Sequence, residues 1–535
     1  MSATPLTIPK APLSPWRPLR NKYFRSLLAA DFVSDVGDFL QGVGAAWLMT
    51  SITNNPLDIA LIQTASALPF FLFALPAGTI GDIVDRRKLI LGTELWMFAV
   101  AVILATTTLA HVMTPFLLLT LTVALSAGDA VESPAWRATF PDLVSSEDLP
   151  AALALNGVEF NLARAVGPGI AGLIVSAVGV GLTFVLNAFS FLGVIFVVAG
   201  WKRTLKKRET PAETFRGGMI AAVRYVRFSP AIQIVLGRSA FLIFFVSAFW
   251  ALLPTAAKQI SNSAIVYGLL LGSVGLGAVL GALALPRARA RLSSEKILAI
   301  ATLAFAGTLL SLALLHHLPI LCLIMIFGGA AWTVFMSLFN IVIQKLAPDW
   351  VRSRVLSFYL FTFQGSVAAG STLWGFVALH TNVHHTLTIA ALGTAACILL
   401  GPLLPLPNTA IDLSEWNHWV RPAMLQQVDP DDGPVLVTVK YVIAPAKASE
   451  FLRYMYKYER VRRRDGATRW DIFFDTEAPS IYVETFIVDS WAEHERQHHR
   501  TTHADQELEN RVLSYSLKPV EVKHFIHAAK SPESE

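Results

Sequence analysis

Long apolar stretches dominate the chain between residues 24 and 406. Each is roughly 20 residues long, the length that an α-helix needs to cross a hydrocarbon core of roughly 30 Å. The pattern predicts twelve spans, at 25–50, 57–81, 88–110, 114–134, 151–176, 181–200, 233–256, 264–286, 295–315, 319–344, 354–379 and 384–406. We therefore expect an all-α polytopic membrane protein with one six-helix half at 24–200 and another at 231–406.

The pattern changes after Pro407, where a polar and acidic stretch predicts a linker over 407–434. Beyond it, the chain contains segments with the strand-like alternation of apolar and polar residues. Segments of helical periodicity separate them. Strands are predicted at 435–442, 469–474, 481–488 and 520–526, and helical stretches at 447–464 and 490–516. The order β-α-β-β-α-β is typical of ferredoxin-like domains, so we predict a small soluble α+β domain over 435–530.

Composition narrows the class of protein. Only 15% of the residues are charged and 54% are hydrophobic, whereas soluble domains are nearer to a quarter charged. With a mean hydropathy of +0.53, the main body is not a soluble enzyme. Cys322 and Cys397 lie far apart in apolar stretches, so neither a disulfide framework nor a cysteine metal site is expected, and we expect no cofactor.

Lysine and arginine are sorted by loop. They crowd the N-terminal segment 1–23, the central loop 201–230 and the loops on one side of the predicted bundle, here called the basic side, whereas the other side carries only Lys258. This asymmetry predicts that both termini are cytoplasmic in a bacterial-type inner membrane. The net charge of +5 therefore needs no nucleic-acid partner, and segment 1–23 does not have the pattern of a secretory signal.

The central loop contains an amphipathic stretch. Arg216, Arg224 and Arg227 share one helical face. The opposite face consists of Phe215, Met219, Ala222 and Val226. One interpretation is a helix on the inner membrane surface; the other is an ordinary connector between the two halves.

A glycine- and arginine-rich loop lies on the basic side between the second and third spans. The stretch contains Gly78, Asp82, Asp85, Arg86, Arg87 and Lys88, of which Gly78, Asp82, Arg86 and Arg87 are the candidate gate residues. The loop resembles the signature G-x-x-x-D-x-x-G-R-R/K of the major facilitator superfamily, with Asp85 where the pattern has glycine. The resemblance implies a charge-assisted latch in which Asp82 pairs with an arginine or a helix end. The alternative is that the basic residues serve only as membrane anchors.

Two further stretches extend the resemblance over residues 20–406. The segment 133–168 is similar to the span-four to span-five region of the branch that includes enterobactin exporters and transmembrane secretion effectors, and 347–356 echoes part of it in the second half. The resemblance implies two related halves with a substrate site between them.

The fifth span carries Gly167, Pro168 and Gly172. These residues resemble the span-five motif of superfamily antiporters, although alanine replaces glycine at positions 163 and 171. Proline and its small neighbours permit bending or close helix packing. The alternative is simple small-residue packing, which also explains the glycines of the eighth span: Gly268, Gly272, Gly275, Gly277 and Gly281.

Acidic residues inside the spans are the sharpest functional signal. Three aspartates of the first span follow one another at i, i+4 and i+7 and share one helix side, which we expect to face a cavity. A carboxylate at the bilayer centre costs roughly 3 kcal/mol, so such groups are candidates for function. The candidates for proton coupling or substrate binding are Asp35, Asp38, Asp31, Glu94, Glu159 and Arg164. For Asp31, Asp129, Glu132 and Arg238, near span ends, snorkelling or structural pairing explains the charge equally well.

The tail resembles antibiotic-biosynthesis-monooxygenase-like domains at 467–470, 483–486 and 489–494. That family includes cofactorless oxygenases and haem-degrading enzymes, and its small sheets pair into dimers. Two histidine pairs at i, i+4 are weak metal candidates: His494, His498, His499 and His503. A solvated polar helix face is the simpler interpretation.

We therefore expect a proton-coupled exporter of small drug-like or siderophore-like molecules, working by alternating access. Its partners would be the substrate, protons, the lipid bilayer and a second copy bound through the tail. Aromatic residues that would suit an amphipathic substrate, or simply face lipid, are Trp47, Trp96, Phe191, Trp250, Trp332 and Trp374. The alternatives are a transporter whose tail is catalytically active or senses a ligand, and a receptor without transport, which the intramembrane acids disfavour.

Overall fold

The computed structural model describes residues 14–73, 85–201, 215–407, 411–416 and 428–528. The chain divides into two compact units. The first comprises Met1–Glu209, Arg238–Phe339 and Phe358–Pro405, and the second comprises Thr210–Gly237, Asn340–Ser357 and Leu406–Glu535.

The helices of the first half match the predicted spans over the described residues. They are α1 (Lys22–Ile52), α2 (Pro56–Phe73), α3 (Arg86–Leu109), α4 (Pro115–Leu143), α5 (Leu149–Ala177) and α6 (Val180–Gly200). A shorter helix, α7 (Phe215–Arg227), lies in the central loop.

The second half again has a helix at each predicted span. These helices are α8 (Pro230–Ile260), α9 (Ala264–Arg291), α10 (Ser294–Leu314), α11 (Leu318–Leu346), α12 (Arg352–His380) and α13 (Val383–Ala396), after which a 3₁₀ turn at Cys397–Leu399 leads into the short α14 (Leu400–Leu403).

Side-chain caps explain where several helices begin. The first amides of a helix lack partners within the helix, so a side-chain oxygen just before it satisfies them. Asn21 accepts hydrogen bonds from the amides of Tyr23 and Phe24 at 2.9 and 3.2 Å. Asp85 does the same for Arg87 at 3.0 Å and for Lys88 at 3.2 Å.

Ten helices in the described part of the chain are long and apolar enough to cross a membrane. Helices α1 and α12 are of comparable length but are not among them. The protein is a multi-pass membrane protein, and twelve crossings remain our prediction.

Helices α5 and α9 approach each other closely enough for their backbones to touch. A Cβ atom on Gly172 would lie 2.9 Å from the carbonyl oxygen of Ala264, and one on Gly268 would lie 2.7 Å from that of Pro168. Two turns farther along, a Cβ on Gly275 would lie 2.7 Å from the Cα of Ala165. Only glycine fits at these three positions without displacing backbone, so we call this contact the glycine seam.

The tail domain in the second unit is a four-stranded antiparallel sheet with helices. Its strands are β1 (Val435–Val442), β2 (Arg469–Phe474), β3 (Ile481–Val488) and β4 (Glu521–Ile526), in the sheet order β2-β3-β1-β4. They lie within one residue of the predicted positions. Its helices are α15 (Ala448–Asp465), α16 (Trp491–Arg500) and α17 (His503–Leu513).

The prediction of one helical stretch over 490–516 is wrong at Thr502. There the hydroxyl and amide of Thr502 both bond to the carboxylate of Asp505, at 2.7 and 3.0 Å, and form a capping box that starts a new helix. Such a cap places Thr502 outside helical geometry, so α16 and α17 are separate elements.

The alternating residues of β1 and β3 bury one face of the sheet against these helices. Val437, Phe451, Trp470 and Phe486 belong to a single apolar cluster of the tail. Glu484, fully buried beside them, accepts bonds from Tyr441 at 3.0 Å, Arg462 at 3.1 Å and Trp470 at 2.9 Å. The tail therefore has a core of its own, and its buried charge is paired.

We predict that the tail loses stability as the pH falls, because His494 is buried in the neutral form. Burial, reinforced by the charges of His524 and Arg462, lowers the pKa of His494 to about 4. Unfolding returns the pKa to its usual value near 6.5, so protons favour the unfolded state between pH 6.5 and 4. The contribution is complete above pH 6.5, and by pH 5 about 2 kcal/mol of it is lost.

Urea unfolding of the segment 428–528, followed by tryptophan fluorescence at pH 7 and pH 5, measures this loss. His494→Leu should reduce the difference between the two pH values, whereas His499→Leu, at an exposed position, should leave it unchanged. Burial raises the pKa of Asp465 to about 6, so this residue stabilises the tail as the pH falls. It does so equally in the wild type and in His494→Leu. Equal pH dependence in the wild type and His494→Leu would contradict the prediction.

Candidate functional site

A cavity of about 300 Å³ lies within the first unit. Helices α1 to α5 of the first half and α8, α9 and α11 of the second half contribute to its wall. Its polar lining includes Asp38, Gln41, Gln63, Ser66, Ser126, Asp129 and Arg164, and its aromatic lining is Phe39, Trp250, Tyr267 and Trp332. The cavity thus has a charged wall from the first half and an aromatic wall that comes mostly from the second.

Two carboxylates and one guanidinium give the cavity its charge. Asp38 on α1 and Asp129 on α4 are both exposed, as side chains in a water-accessible cavity are. Arg164 on α5 lines the same cavity, and its guanidinium carbon lies 4.7 Å from the centre of the Phe160 ring. The lining therefore offers both signs of charge to a bound molecule.

A second acidic group lies beside this lining. One carboxylate oxygen from each of Asp31, Asp35 and Glu159 lies within 4.8 Å of the other two. Both oxygens of Glu159 are buried, and its carboxyl group interacts with those of Asp35 and Asp31. Asp35 interacts electrostatically with Arg164. Three carboxylates this close together cannot all stay charged without a neutralising proton or cation.

Glu94 and Glu132 form a third group, between α3 and α4. Both are buried. Glu132 accepts a 2.6 Å bond from the hydroxyl of Thr93, and the two carboxylates interact electrostatically. The structure thus brings all the candidates of the spans together in the first half, including Glu132 and Asp129, for which structural pairing was the alternative.

The second half is different, because its only acids over 231–406 are Glu295 and Asp349. Arg238 forms a bidentate pair with Glu295, at 2.5 and 3.0 Å, and donates to the carbonyl of Leu404 at 3.0 Å. Structural pairing therefore accounts for Arg238.

Part of the predicted latch, Gly78 and Asp82, lies outside the described residues. The described part joins helix ends. Arg86 donates to the carbonyl of Ala138 at 2.7 Å and to the carboxylate of Asp142 at 3.2 Å, both on α4. Arg87 donates to the carbonyls of Val198 and Ala199 at the end of α6, at 3.0 and 2.5 Å.

The span-five residues lie at helix contacts. Gly172 is part of the glycine seam, and Pro168 lines the cavity. A Cβ on Gly167 would lie 2.6 Å from the Cβ of Phe39 on α1. Close packing explains all three positions, and their link to antiport stays a prediction.

The tail histidines divide into two cases. His494 is buried, and its Nε2 lies 3.4 Å from that of His498. His499 contacts Glu415 at 2.7 Å and His503 contacts Gln506 at 3.0 Å. The predicted pairing of His499 with His503 is wrong, because the cap at Thr502 places them on different helices.

Sequence reasoning missed a neutral polar contact between α1 and α6. Asn187 is fully buried and donates a 2.5 Å hydrogen bond to Gln41, which lines the cavity. Ser190 donates to Asn187 at 3.1 Å. A Cβ on Gly37 would lie 2.5 Å from the Asn187 oxygen, so the glycine makes room for this contact. An asparagine and a glutamine in two apolar spans were the available signal.

Only two of the six candidate aromatics line the cavity. Trp250 and Trp332 do so, with ring centres 5.2 Å apart. Trp374 is buried and donates to the carbonyl of Phe244, and Phe191 is buried in the helix packing. Trp96 is half exposed. Trp47 stacks behind the cavity on Tyr267 at 6.3 Å.

A polytopic helical fold with one cavity wall from each half defines a membrane transporter. The chain belongs to the transmembrane secretion effector family of the major facilitator superfamily, whose family model matches residues 13–532. It is thus a transporter and not an enzyme. The resemblance seen in the loops and spans of the first half is confirmed at the level of this branch.

The curated relatives are transporters, and they are about as long as the membrane-spanning part of this chain. The chain is 22% identical to the staphyloferrin A transporter of Staphylococcus aureus, over 75% of this chain and 99% of that protein. It is 25% identical to the enterobactin exporter EntS of Salmonella typhimurium, over 71% and 91%. Among solved structures, a point mutant of the nucleoside transporter NupG has a TM-score of 0.61, with 12% identity over 71% of this chain and 99% of that chain.

We predict that Arg86→Ala slows transport several-fold while abundance in the membrane stays near that of the wild type. The substitution removes the bonds from α3 to the end of α4, which lie at a water-accessible position where lost pairs cost little stability. Dye efflux from cells and quantitative immunoblotting measure the two effects. Lys88→Ala, on the same turn and exposed, is the matched control. Equal efflux by Arg86→Ala and Lys88→Ala would reject a latch role.

Proposed function

We propose that this chain is a secondary active transporter that exports small organic molecules by proton antiport, through alternating access. The observation that carries the proposal is the cavity whose wall holds Asp38, Asp129 and Arg164 and borders the group of Asp31, Asp35 and Glu159. Acids beside a cavity can exchange protons with water, whereas acids facing lipid cannot.

Proton exchange and substrate binding can be coupled through Arg164. When a neighbouring carboxylate is charged, it competes with a substrate anion for the guanidinium; when it is protonated, Arg164 is free for the substrate. A transporter that opens the cavity to one side and then to the other converts this competition into exchange of substrate for protons.

The relatives support export as the direction and small molecules as the cargo. The curated relatives include a staphyloferrin A transporter, enterobactin exporters and the multidrug efflux pump Tap of Mycolicibacterium fortuitum, which is 22% identical over 70% of this chain. The cavity fits this class, because Trp250, Tyr267 and Trp332 offer an aromatic wall opposite the charged one. We therefore expect an amphipathic substrate with a siderophore-like or drug-like body.

We place both termini in the cytoplasm of a bacterial-type inner membrane. The sorting of lysine and arginine onto the basic side supports this orientation. It puts the central loop, the tail and the latch residues Arg86 and Arg87 on the cytoplasmic side, where a gate would open to load substrate.

We predict that Asp38→Asn abolishes gradient-driven transport and leaves binding intact. The amide keeps the shape and hydrogen bonding of the carboxylate but cannot exchange a proton. Asp35→Asn should be intermediate and Asp31→Asn mildest, because Asp31 lies nearest the end of α1. The measurement is ethidium efflux and siderophore efflux from proteoliposomes under an imposed pH gradient.

Asp58→Asn is the control, since Asp58 lies at the start of α2 and is not part of the cavity lining. Full gradient-driven transport in the triple variant of Asp31, Asp35 and Asp38 would assign these acids a structural role. The carrier would then have to be Glu94 or Glu159.

For the tail we propose a ferredoxin-like, monooxygenase-like domain that joins two copies of the chain rather than a catalytic one. The sheet face opposite the helices carries the exposed side chains of Phe473 on β2 and Phe525 on β4. Arg469, Lys440 and Glu521 share that face. A face with both signs of charge can pair with a second copy of itself about a two-fold axis.

Phe525→Lys should halve the mass of the detergent-solubilised protein measured by light scattering, because it replaces an exposed apolar side chain of the proposed contact with a charge. Leu517→Lys, at an exposed position outside the strands, should keep the wild-type mass. A wild-type mass of one chain would refute the dimer.

A further inference from the structure

The second unit joins three distant parts of the chain: 210–237, 340–357 and 406–535. Helix α7 and the junction between α11 and α12 pack against each other within it. The hydroxyl of Tyr225 on α7 donates to the carbonyl of Leu346 at 3.3 Å, and its ring meets that of Trp350 edge-on, with centres 5.6 Å apart. Gly218 leaves room for the guanidinium of Arg354.

Glu493 of the tail is the centre of an ionic contact with this packed region. Its carboxylate accepts bonds from Arg224 on α7 at 2.7 Å and from Arg496 at 2.9 Å. Arg500 adds a bidentate pair at 2.6 and 3.2 Å. Arg224 also donates to the carbonyl of Gly466 in the tail at 3.2 Å. We call Glu493 and its three arginines the Glu493 cluster.

The contact is largely shielded from water. The side chains of Arg224 and Glu493 are 10% and 12% exposed. Burial raises the pKa of Glu493, but bonds from Arg500, Arg224 and Arg496 outweigh it and lower the pKa to about 2. The cluster therefore stays charged throughout the physiological pH range. Because Arg496 and Arg500 also bond to Glu493, its charge stays compensated when Arg224 is removed, whereas the link to α7 is lost.

Two stacked cations extend the contact on either side. The guanidinium carbon of Arg500 lies 4.7 Å from the centre of the Trp350 ring, and that of Arg464 lies 5.3 Å from the centre of Tyr225. Arg464 is fixed by Asp465 and Asp505, both at 2.7 Å. Tail arginines thus hold both aromatic rings of the packed region.

We propose that the tail domain is a restraint on the transport cycle: through the Glu493 cluster and the two stacked cations it holds α7 together with the junction of α11 and α12. These segments are the connections on the basic side that precede and follow spans of the second half. Alternating access requires such connections to rearrange, so a domain that binds one arrangement shifts the balance between the states. This inference rests on the proposed transport function.

The test separates docking from restraint, using the full chain in lipid nanodiscs. Arg224→Met removes the α7 partner and leaves the pair of Glu493 with Arg500 intact, so the tail keeps its fold. Arg227→Met, on the exposed face of the same helix, is the matched control. Arg224→Lys keeps the charge but not the two-pronged geometry and should be intermediate.

Two measurements are made on each variant. Hydrogen exchange of 217–227 and 346–357 reports docking. The rate at which N-ethylmaleimide labels Ser126→Cys, in a chain with Cys322→Ser and Cys397→Ser, reports opening of the cavity. We expect Arg224→Met to raise exchange at least threefold and to change the labelling rate at least threefold, while Arg227→Met changes neither.

Unchanged exchange in Arg224→Met would show that the Glu493 cluster does not hold α7. Faster exchange with an unchanged labelling rate would show that the tail docks without restraining the cavity. Either result overturns the proposal. Neither measurement needs a transported substrate, so a failure of the proposed export function would be recognised separately, by loss of gradient-driven efflux in the wild type.

Discussion

The two halves meet backbone to backbone at the glycine seam, and this contact borders the candidate site. In a bilayer there is no hydrophobic force between helices, so association requires close packing and hydrogen bonds. At Gly172, Gly268 and Gly275, backbone meets backbone. The seam also borders the cavity, because Pro168 and Gly275 line it. In the proposed alternating-access cycle, the seam is a line along which one half can move against the other, because no side chains interlock at these three glycines.

Charge is distributed unequally on the two sides of this line. The first half contains the carboxylates of α1, α3, α4 and α5, among which that of Glu159 is buried next to other acids, Asp31 and Asp35. In the second half, Arg238 forms a bidentate pair with Glu295. An acidic side chain in a membrane span lowers the stability of the fold unless it is paired. In the proposed mechanism, the first half supplies the groups that exchange protons, and the second half is the frame around them.

Much of this could be predicted from the sequence. Apolar length located the helices, alternation located the tail strands within one residue, and acids in apolar spans identified the groups that the structure brings together. These features depend on local periodicity or on the high cost of a charge in lipid. Both can be recognised within a single segment of the sequence.

What could not be predicted depends on contacts between distant segments. One capping box separates the two helices at Thr502, although the helical pattern of the sequence continues through that residue. The contact of Asn187 with Gln41 requires knowing which sides of α1 and α6 meet. Arg224 looked like one of three equivalent basic residues on an amphipathic helix, and only the position of Glu493, far along the chain, distinguishes it from Arg227. The membrane-surface interpretation of α7 therefore does not extend to Arg224, which the tail occupies.

The division of the cavity wall has a consequence for how such proteins diversify. The aromatic wall, with Trp250, Tyr267 and Trp332, comes from helices whose cavity-lining residues include no carboxylate. Substitutions there alter the shape offered to cargo without touching the acids of the opposite wall. Under the proposed mechanism, cargo preference and energy source can therefore change independently during evolution, because a few substitutions at aromatic positions would alter the cargo while the acids stay the same.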